Sequence, residues 1–278
     1  MLNINRVIDI SHFSRASTYV RSKPRASRLP SIAIFGLVSL TTLSAAADET
    51  TSLAKLEDSI AFYSQRYALS DTHTKLVSNN GSGYDRLTGV RNFRRVLNGL
   101  VYRGGANNSF RTPKRDNENP LPPEAVENLC KEGFSTSIYL YKQNYETSEH
   151  VKDCTSIGGG SNNFSYLQSS VTSSDDAARS HALENILSII YDHIKGNDHR
   201  PIYLHCWNGW HASGFASAIV LRQFCGISGN DAVKYWDRNT DGVSVPSRGK
   251  IHSWIRNFSP DAKYSISSDA QALLCANQ

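Results

Sequence analysis

The feature that most constrains this chain is one cysteine placed between a β-like run and a helix-like run. The segment reads PIYLHCWNGWHASGFASAIVL, residues 201–221. PIYL has the character of a buried strand and FASAIVL that of a helix, while Gly209 and Gly214 allow a tight path between them. A loop that returns to a helix N-terminus points backbone N–H groups inward and forms an anion-binding nest. The segment therefore predicts a nucleophilic cysteine, Cys206, beside an anion site.

The rest of the organised chain alternates between strand-like and helix-like segments. This alternation is typical of an α/β layer with a mostly parallel sheet flanked by helices. In such sheets the ligand lies beyond the carboxyl ends of the strands, which is where His205 and Cys206 fall. The predicted order is a hairpin with an Asn98-Gly99 turn, a helix ending at Gly133, the strand STSIYLY, a long polar connection over 142–163, the strand FSYLQSSV, a helix ending at Gly196, the strand RPIYLHC and three further helical segments.

The first 47 residues have the pattern of a secretory signal peptide. Residues 1–31 hold six basic residues and one acidic residue, the uncharged apolar run IAIFGLVSLTTL follows, and small residues precede a polar start. We expect cleavage after Ala47 and export to a periplasm or the exterior. A short membrane anchor is the alternative, but 12 apolar residues are too few to span a bilayer comfortably. We therefore expect no stable membrane insertion after cleavage.

Removal of this segment changes the charge of the protein. The whole chain carries 30 basic and 25 acidic residues, and without six of the basic residues and one acidic residue it keeps 24 of each. A formally neutral mature protein gives no support for nucleic-acid binding. The sequence then divides into a signal peptide (1–47), an N-terminal extension (48–90), a main α/β domain that holds Cys206 (91–260) and a C-terminal tail (261–278).

Export would expose five cysteines to an oxidising compartment. If Cys206 is the nucleophile, an even number remains for disulfides. The sequence does not determine the pairing. Cys130 with Cys154 and Cys225 with Cys275 is the pairing we consider, and unpaired buried thiols are the alternative.

Several residues around the cysteine have side chains suited to an anion site. Ser213 is placed to donate a hydrogen bond to the thiolate, and His205 to fix the loop from behind. Asn208 suits a bond to the loop backbone or to a substrate oxygen. Trp207 and Trp210 either form a flat wall for a substrate or pack beneath the loop as core. The histidines show no spacing typical of a zinc site, so we expect neither a metal nor another cofactor.

The loop resembles the signature of the cysteine-dependent tyrosine and dual-specificity phosphatases. That signature reads His-Cys, five residues, Arg, Ser or Thr, Gly, and this chain has HC-WNGWH-A-SG, with Ala212 at the arginine position. FRRVLNGLVYRGG and LPPEAVENLCKEGFSTSIYL resemble other parts of the same family, so the resemblance covers roughly 92–225. It implies a dual-specificity-phosphatase-like fold, a phosphorylated or other anionic substrate and a cysteinyl-phosphate intermediate.

The family's general acid is an aspartate about 30 residues before the cysteine. Asp175 and Asp176 lie 31 and 30 residues before Cys206, after a predicted strand. Either carboxylate has the chemistry to protonate a leaving group. The alternative is that Ser-Ser-Asp-Asp caps the following helix.

The absence of the signature arginine leaves open what neutralises a phosphate. Arg103 in YRGG, or His211 when protonated, is a candidate replacement cation. The alternatives are that the loop binds an anion through backbone N–H groups alone, or that the thiolate acts on another group. Two functions follow: a phosphomonoester hydrolase with a modified loop, and a catalytically inactive pseudophosphatase that binds an anionic ligand.

Overall fold

A computed structural model describes residues 38–107 and 120–276, with side chains from Thr50 onward. The fold described below is that of the compact unit Thr42–Gln278. The predicted basic segment 1–31 and the beginning of the predicted apolar run lie outside the described residues. Within the described part, no helix has the length and apolar character needed to cross a membrane.

The compact unit is an α/β fold built on a six-stranded sheet, as the sequence predicts. The strands lie in the order β1-β2-β6-β3-β5-β4; the four middle strands run parallel and both edge strands pair antiparallel. The strands are β1 Val90–Leu97, β2 Val101–Ala106, β3 Thr136–Tyr139, β4 Val151–Thr155, β5 Ser161–Gln168 and β6 Ile202–Cys206. The helices are α1 Val38–Tyr67, α2 Pro123–Lys131, α3 Asp176–Lys195, α4 His211–Cys225, α5 Gly229–Arg238, α6 Arg248–Asn257 and α7 Ser268–Leu274, with 3₁₀ turns at Asp85–Leu87, Tyr145–Thr147 and Ala262–Tyr264.

Strand β6 lies inside the sheet, between β2 and β3, and every residue in it is buried. A strand covered on both faces needs apolar side chains on both. Ile202 and Leu204 face a mainly aliphatic cluster with α3, α4 and α5, and Tyr203 faces a largely aromatic cluster with α1 and α2. The sheet thus holds the carboxyl end of β6, and with it Cys206, rigidly in place.

The segment 142–163, predicted as a polar connection, is in fact partly sheet. It contains β4 and the start of β5, and β4 forms the edge of the sheet with every residue exposed or half-exposed. No residue of this edge strand is fully buried, so it needs no apolar face and its sequence carries little strand signal. The sequence interpretation was wrong here for that reason.

The segments predicted as extension and tail belong to the same compact unit. Leu56 and Ile60 of α1 and Leu274 of α7 are buried in the aliphatic cluster. The N–H of Asn98, in the β1–β2 turn, donates to the Leu274 carbonyl at 2.8 Å. The packed unit is therefore wider than the predicted 91–260.

Two disulfides confirm the pairing considered from the sequence. Cys130–Cys154 joins α2 to β4, and Cys225–Cys275 joins the end of α4 to the residue after α7. Of the described cysteines, Cys206 remains free, and it is buried. Disulfides of this kind are compatible with an oxidising compartment.

Replacing both Cys130 and Cys154 with alanine is expected to lower the free energy of unfolding by about 3 kcal/mol. The bridge closes a loop with a sequence separation of 24, and its loss returns conformational entropy to the unfolded chain. Denaturant unfolding under non-reducing conditions measures the change. A double variant as stable as the parent protein would contradict the expectation, and a parent protein treated with reductant is the control for loss of both bridges.

Candidate active site

The loop of residues 205–214 lies directly against the end of β2. Gly105 forms a β-bridge with Asn208, and a Cβ on Gly105 would lie 2.3 Å from the Trp207 carbonyl oxygen. Gly209 has a φ of +75°, and a Cβ there would meet the backbone of Gly104 and Gly105 at 2.6 to 2.7 Å. The glycines of YRGG and the glycine in the loop are therefore needed for this close approach.

Side chains from outside the loop hold four consecutive loop carbonyls. Asn92 Nδ2 donates to Asn208 O at 2.6 Å, Arg103 donates to Gly209 O and, at 3.1 Å, to Trp210 O, and Trp236 Nε1 donates to His211 O at 3.0 Å. In a trans peptide the C=O and the following N–H point in opposite directions. The N–H groups of 209–212 therefore face away from these donors, and they adjoin the N-terminus of α4, where N–H groups lack helical partners. This arrangement forms an anion nest.

Cys206 lies at the end of β6, 2% exposed, with its Sγ 3.5 Å from Ser213 Oγ. Arg103 Nη2 lies 3.4 Å from the same Oγ. The Ser213 oxygen accepts from both the Cys206 thiol and Arg103, and once the sulfur is ionised the Ser213 hydroxyl can donate to the thiolate instead. The structure thus brings the predicted nucleophile and its predicted partner together.

His205 is buried behind the cysteine in a neutral form. Leu121 N donates to Tyr166 Oη, so the tyrosine hydroxyl donates in turn to His205 Nε2 at 2.9 Å. The Nδ1–H then faces the Cys206 carbonyl at 3.2 Å. Burial lowers the pKa of His205 to about 3. The histidine fixes the loop from behind, as the sequence suggests, and does not act as a cation.

The stability of the protein should therefore depend on His205 as the pH falls. Below about pH 6.5 an unfolded histidine binds a proton that the folded His205 does not accept until about pH 3. The free energy of unfolding should fall with decreasing pH more steeply in the parent protein than in His205→Gln, by about 1.4 kcal/mol per pH unit between pH 6 and 4. Denaturant unfolding at several pH values gives both slopes, and equal slopes would rule out this role.

Arg103, predicted as a replacement cation, lies behind the loop. It is fully buried, and besides the loop carbonyls its Nη1 donates to Tyr235 Oη at 3.3 Å. Its donors are thus directed to the loop backbone and the side chains behind it. The other predicted cation, His211, donates from Nε2 to the Val243 carbonyl at 3.0 Å. These contacts assign Arg103 and His211 to holding the loop in place.

The two predicted acids lie at the start of α3. Asp175 is the N-cap, and its Oδ1 accepts from Ala177 N at 3.0 Å. The Asp176 side chain is 82% exposed and pairs with Arg179 at 2.6 Å. Among the described residues, no hydrogen bond joins either carboxylate to the 205–214 loop. The capping role is thus realised by Asp175, and in the described part of the chain neither carboxylate is hydrogen-bonded to the loop that carries the cysteine.

The two loop tryptophans line the surface of the site, since both are half-buried. Trp210 Nε1 donates to Asp241 Oδ2 at 2.8 Å, and Lys75 and Arg94 also bind this carboxylate. Burial disfavours the ionised form of Asp241, but the bonds and charges of these partners outweigh it and lower its pKa. Trp210 is therefore anchored at its nitrogen.

Gly214, at the start of α4, allows close packing of Trp236, whose ring would lie 3.1 Å from a Cβ at this position.

Sequence reasoning missed Arg91 and Asn92. The register of β1 with β2 shifts between Arg91 and Arg94, and Asn92 has a φ of +52°. Such a bulge redirects side chains. Asn92 thereby reaches the Asn208 carbonyl, and the Arg91 guanidinium carbon lies 6.0 Å from the Trp207 ring centroid and 5.9 Å from that of Trp210. The available signal was the polar pair Arg91-Asn92 at the start of the predicted hairpin.

The described residues contain no group of three or more His, Cys, Asp or Glu side chains arranged to hold a metal ion.

Comparison with known proteins finds similarity at the level of structure. No family model matches the chain, and no curated protein matches its sequence. The core catalytic domain of the PP-IP phosphatase SIW14 from S. cerevisiae is 16% identical, with 61% of this chain and 86% of that chain covered and a TM-score of 0.40. Tk-PTP in a mutant form is 16% identical, with 57% and 90% covered and a TM-score of 0.37.

A third solved structure, kinase associated phosphatase with its catalytic-site cysteine substituted by serine, is 12% identical. The alignment covers 57% of this chain and 84% of that chain, with a TM-score of 0.37. These neighbours are cysteine-dependent phosphatases, the group whose signature the 205–214 loop resembles. Because all three TM-scores lie below 0.5, the functional assignment rests on the loop itself.

Proposed function

We propose that the protein is a cysteine-dependent phosphomonoester hydrolase. One observation carries the proposal: the Cys206 sulfur adjoins a loop whose four consecutive carbonyls are all held from outside, leaving N–H groups turned the other way. Backbone N–H groups fixed in this way bind phosphoryl oxygens without reorganisation. An anion nest beside a free thiol suits attack of sulfur on phosphorus.

The proposed reaction has two steps. The Cys206 thiolate forms a bond to phosphorus as the phosphorus–oxygen ester bond breaks, and the departing oxygen takes a proton from an acid. Water then attacks the cysteinyl phosphate, so inorganic phosphate leaves and the thiolate is restored. Ser213, 3.5 Å from the sulfur, is proposed to stabilise the thiolate on its release.

We assign the acid to Asp176 and the capping role to Asp175. The spacing of both residues from Cys206 supports a role in proton transfer. Asp175 Oδ1 is engaged by the first turn of α3, whereas the Asp176 carboxylate is 82% exposed. The Asp176 carboxylate is thus the one accessible to a substrate.

We also propose that the protein is exported. The two disulfides support an oxidising compartment, and the composition of residues 1–47 supports a cleaved signal. Amino-terminal sequencing of the protein from its native cells should begin at Asp48. Recovery of an uncleaved chain from the cytoplasm would contradict the proposal.

The hydrolase proposal is tested with the purified disulfide-bonded protein and p-nitrophenyl phosphate over a wide pH range. Nitrophenol release, with a phosphoryl group trapped on Cys206 in acid-quenched samples, is the expected result. Binding of phosphate without any turnover would favour the pseudophosphatase alternative, which Ala212 supports. Turnover without a Cys206 adduct in a pre-steady-state burst would assign the activity to another mechanism.

A further inference from the structure

Arg91 places a second, unpredicted guanidinium at the anion loop. It pairs in register with Gly105 of β2, and Gly105 in turn forms the β-bridge with Asn208. The next residue, Asn92, holds the Asn208 carbonyl. Only strand β2 thus separates the Arg91 backbone from the loop. Both Gly105, its partner in the sheet, and Asn92, the next residue in the chain, are bound to Asn208 of the loop.

The Arg91 side chain lies against both loop tryptophans. Its guanidinium carbon is about equally distant from their two ring centroids, and the residue is only 2% exposed. A cation close to indole rings is attracted by them, more strongly when water is excluded. Two tryptophans are unusual inside a phosphate-binding loop, and this contact gives them a common purpose: they orient one buried positive charge.

Tyr203 is subject to the charges of both Arg91 and Cys206. Burial raises the pKa of the Tyr203 hydroxyl well above its usual range; Cys206 adds to the rise, and Arg103 and Arg91 oppose it. The hydroxyl is fixed on the carbonyl of Gly105, the residue that pairs with Arg91, at 3.0 Å.

The other cations around the loop have different tasks. Arg103 holds loop carbonyls, as described above. Arg94 and Lys75 bind Asp241, at 2.8 Å and 2.7 Å. Arg91 differs from them in lying against the rings of both loop tryptophans.

We propose that Arg91 supplies the positive charge that Ala212 does not, so that a bound phosphoryl group is held by the loop N–H groups and a guanidinium from β1. This inference rests on the proposed function, because it concerns the same anion site. It assigns Arg91 to binding oxygens of the substrate, with Trp207 and Trp210 as its positioning residues.

The test compares Arg91→Met with Arg95→Met. Arg95 is a buried arginine of the same strand, and it donates to the carbonyls of Ser70 and Ala276 instead of the loop. Isothermal titration with inorganic phosphate, performed on proteins that also carry Cys206→Ser, should show a dissociation constant raised about 10- to 100-fold by Arg91→Met. Arg95→Met should leave it unchanged. Equal phosphate affinity with and without Arg91 would overturn the proposal.

A double variant separates an electrostatic role from a merely structural one. Arg91→Met with Ala212→Arg returns a guanidinium to the loop from another position, and phosphate affinity should return to within about threefold of the parent value. A structural defect at β1 would not be rescued by an arginine on α4, so failure of rescue in a folded protein counts against the proposal. Arg91→Lys, which keeps the charge, should bind phosphate more tightly than Arg91→Met. If the methionine variant does not fold, the phosphate affinity of Arg91→Lys is compared with that of the parent protein and should lie close to it.

The outcomes distinguish this inference from the hydrolase proposal. Phosphate binding that depends on Arg91 in a protein without turnover would support the inference and reject hydrolysis. Cys206-dependent turnover with a KM that is indifferent to Arg91→Met would reject the inference and support hydrolysis. Absence of phosphate binding by the parent protein as well as by the Cys206→Ser protein, with no turnover by the parent, would reject both.

Discussion

Serine in place of Cys206 is expected to reduce phosphatase turnover by roughly 10⁴-fold or more, because loss of the nucleophile removes the covalent route. A serine hydroxyl stays neutral where a thiol ionises, and the adjacent histidine, His205, cannot activate it because it is buried with both ring nitrogens engaged. The variant differs from the parent by one atom. The loop and its N–H groups should therefore keep their geometry.

The control for this variant is phosphate binding, which should be unchanged within error. Steady-state release of nitrophenol measures turnover, and titration calorimetry with inorganic phosphate measures the loop. Retained turnover in Cys206→Ser would remove the cysteine from the mechanism altogether. Loss of both turnover and binding would instead point to a distorted loop, which a crystal structure of the variant would reveal.

The sequence was most informative where function depends on residues adjacent in the chain. HCWNGWHASG places the nucleophile, the two glycines and Ser213 within one strand–loop–helix unit, so the local pattern predicts the nest and the sulfur–hydroxyl contact. The alternation of apolar segments likewise predicted the parallel centre of the sheet. Both inferences need only the short-range rules of strands, turns and helices.

It was least informative where the site depends on register between strands. Arg91 reaches the loop because β1 is bulged at Asn92, and no local pattern shows which residue of β2 lies opposite. Arg103 was recognised as part of the site, but the sequence does not show which face of the loop lies against β2. It therefore could not show that Arg103 binds the loop carbonyls and not an anion. The exposed edge strand β4 was missed for a related reason, since pairing with one neighbour leaves no apolar pattern in its sequence.

Arginine in place of Ala212 is expected to raise Cys206-dependent turnover by about 10²- to 10³-fold. An arginine that clamps a transferring phosphoryl group is worth about 10³ to 10⁵ in rate. The gain should fall at or below the lower end of that range, because Arg91 already contributes positive charge to the same site. The gain should appear mainly in kcat, since a planar fork binds the developing charge of the transition state better than the ground state.

Ala212→Gln is the matched control, since glutamine gives length and hydrogen-bonding capacity without the charge. Ala212 is 6% exposed, so both variants must find the same space, and a similar loss of stability in each would leave only the charge to explain a difference in rate. Equal turnover in Ala212→Arg and the parent, with both proteins folded, would show that the loop departs from a phosphatase at more than this residue. A larger gain from Ala212→Arg in the Arg91→Met background than in the parent would show that the two guanidinium groups serve one phosphate, because a charge already supplied from β1 leaves less for the loop to add.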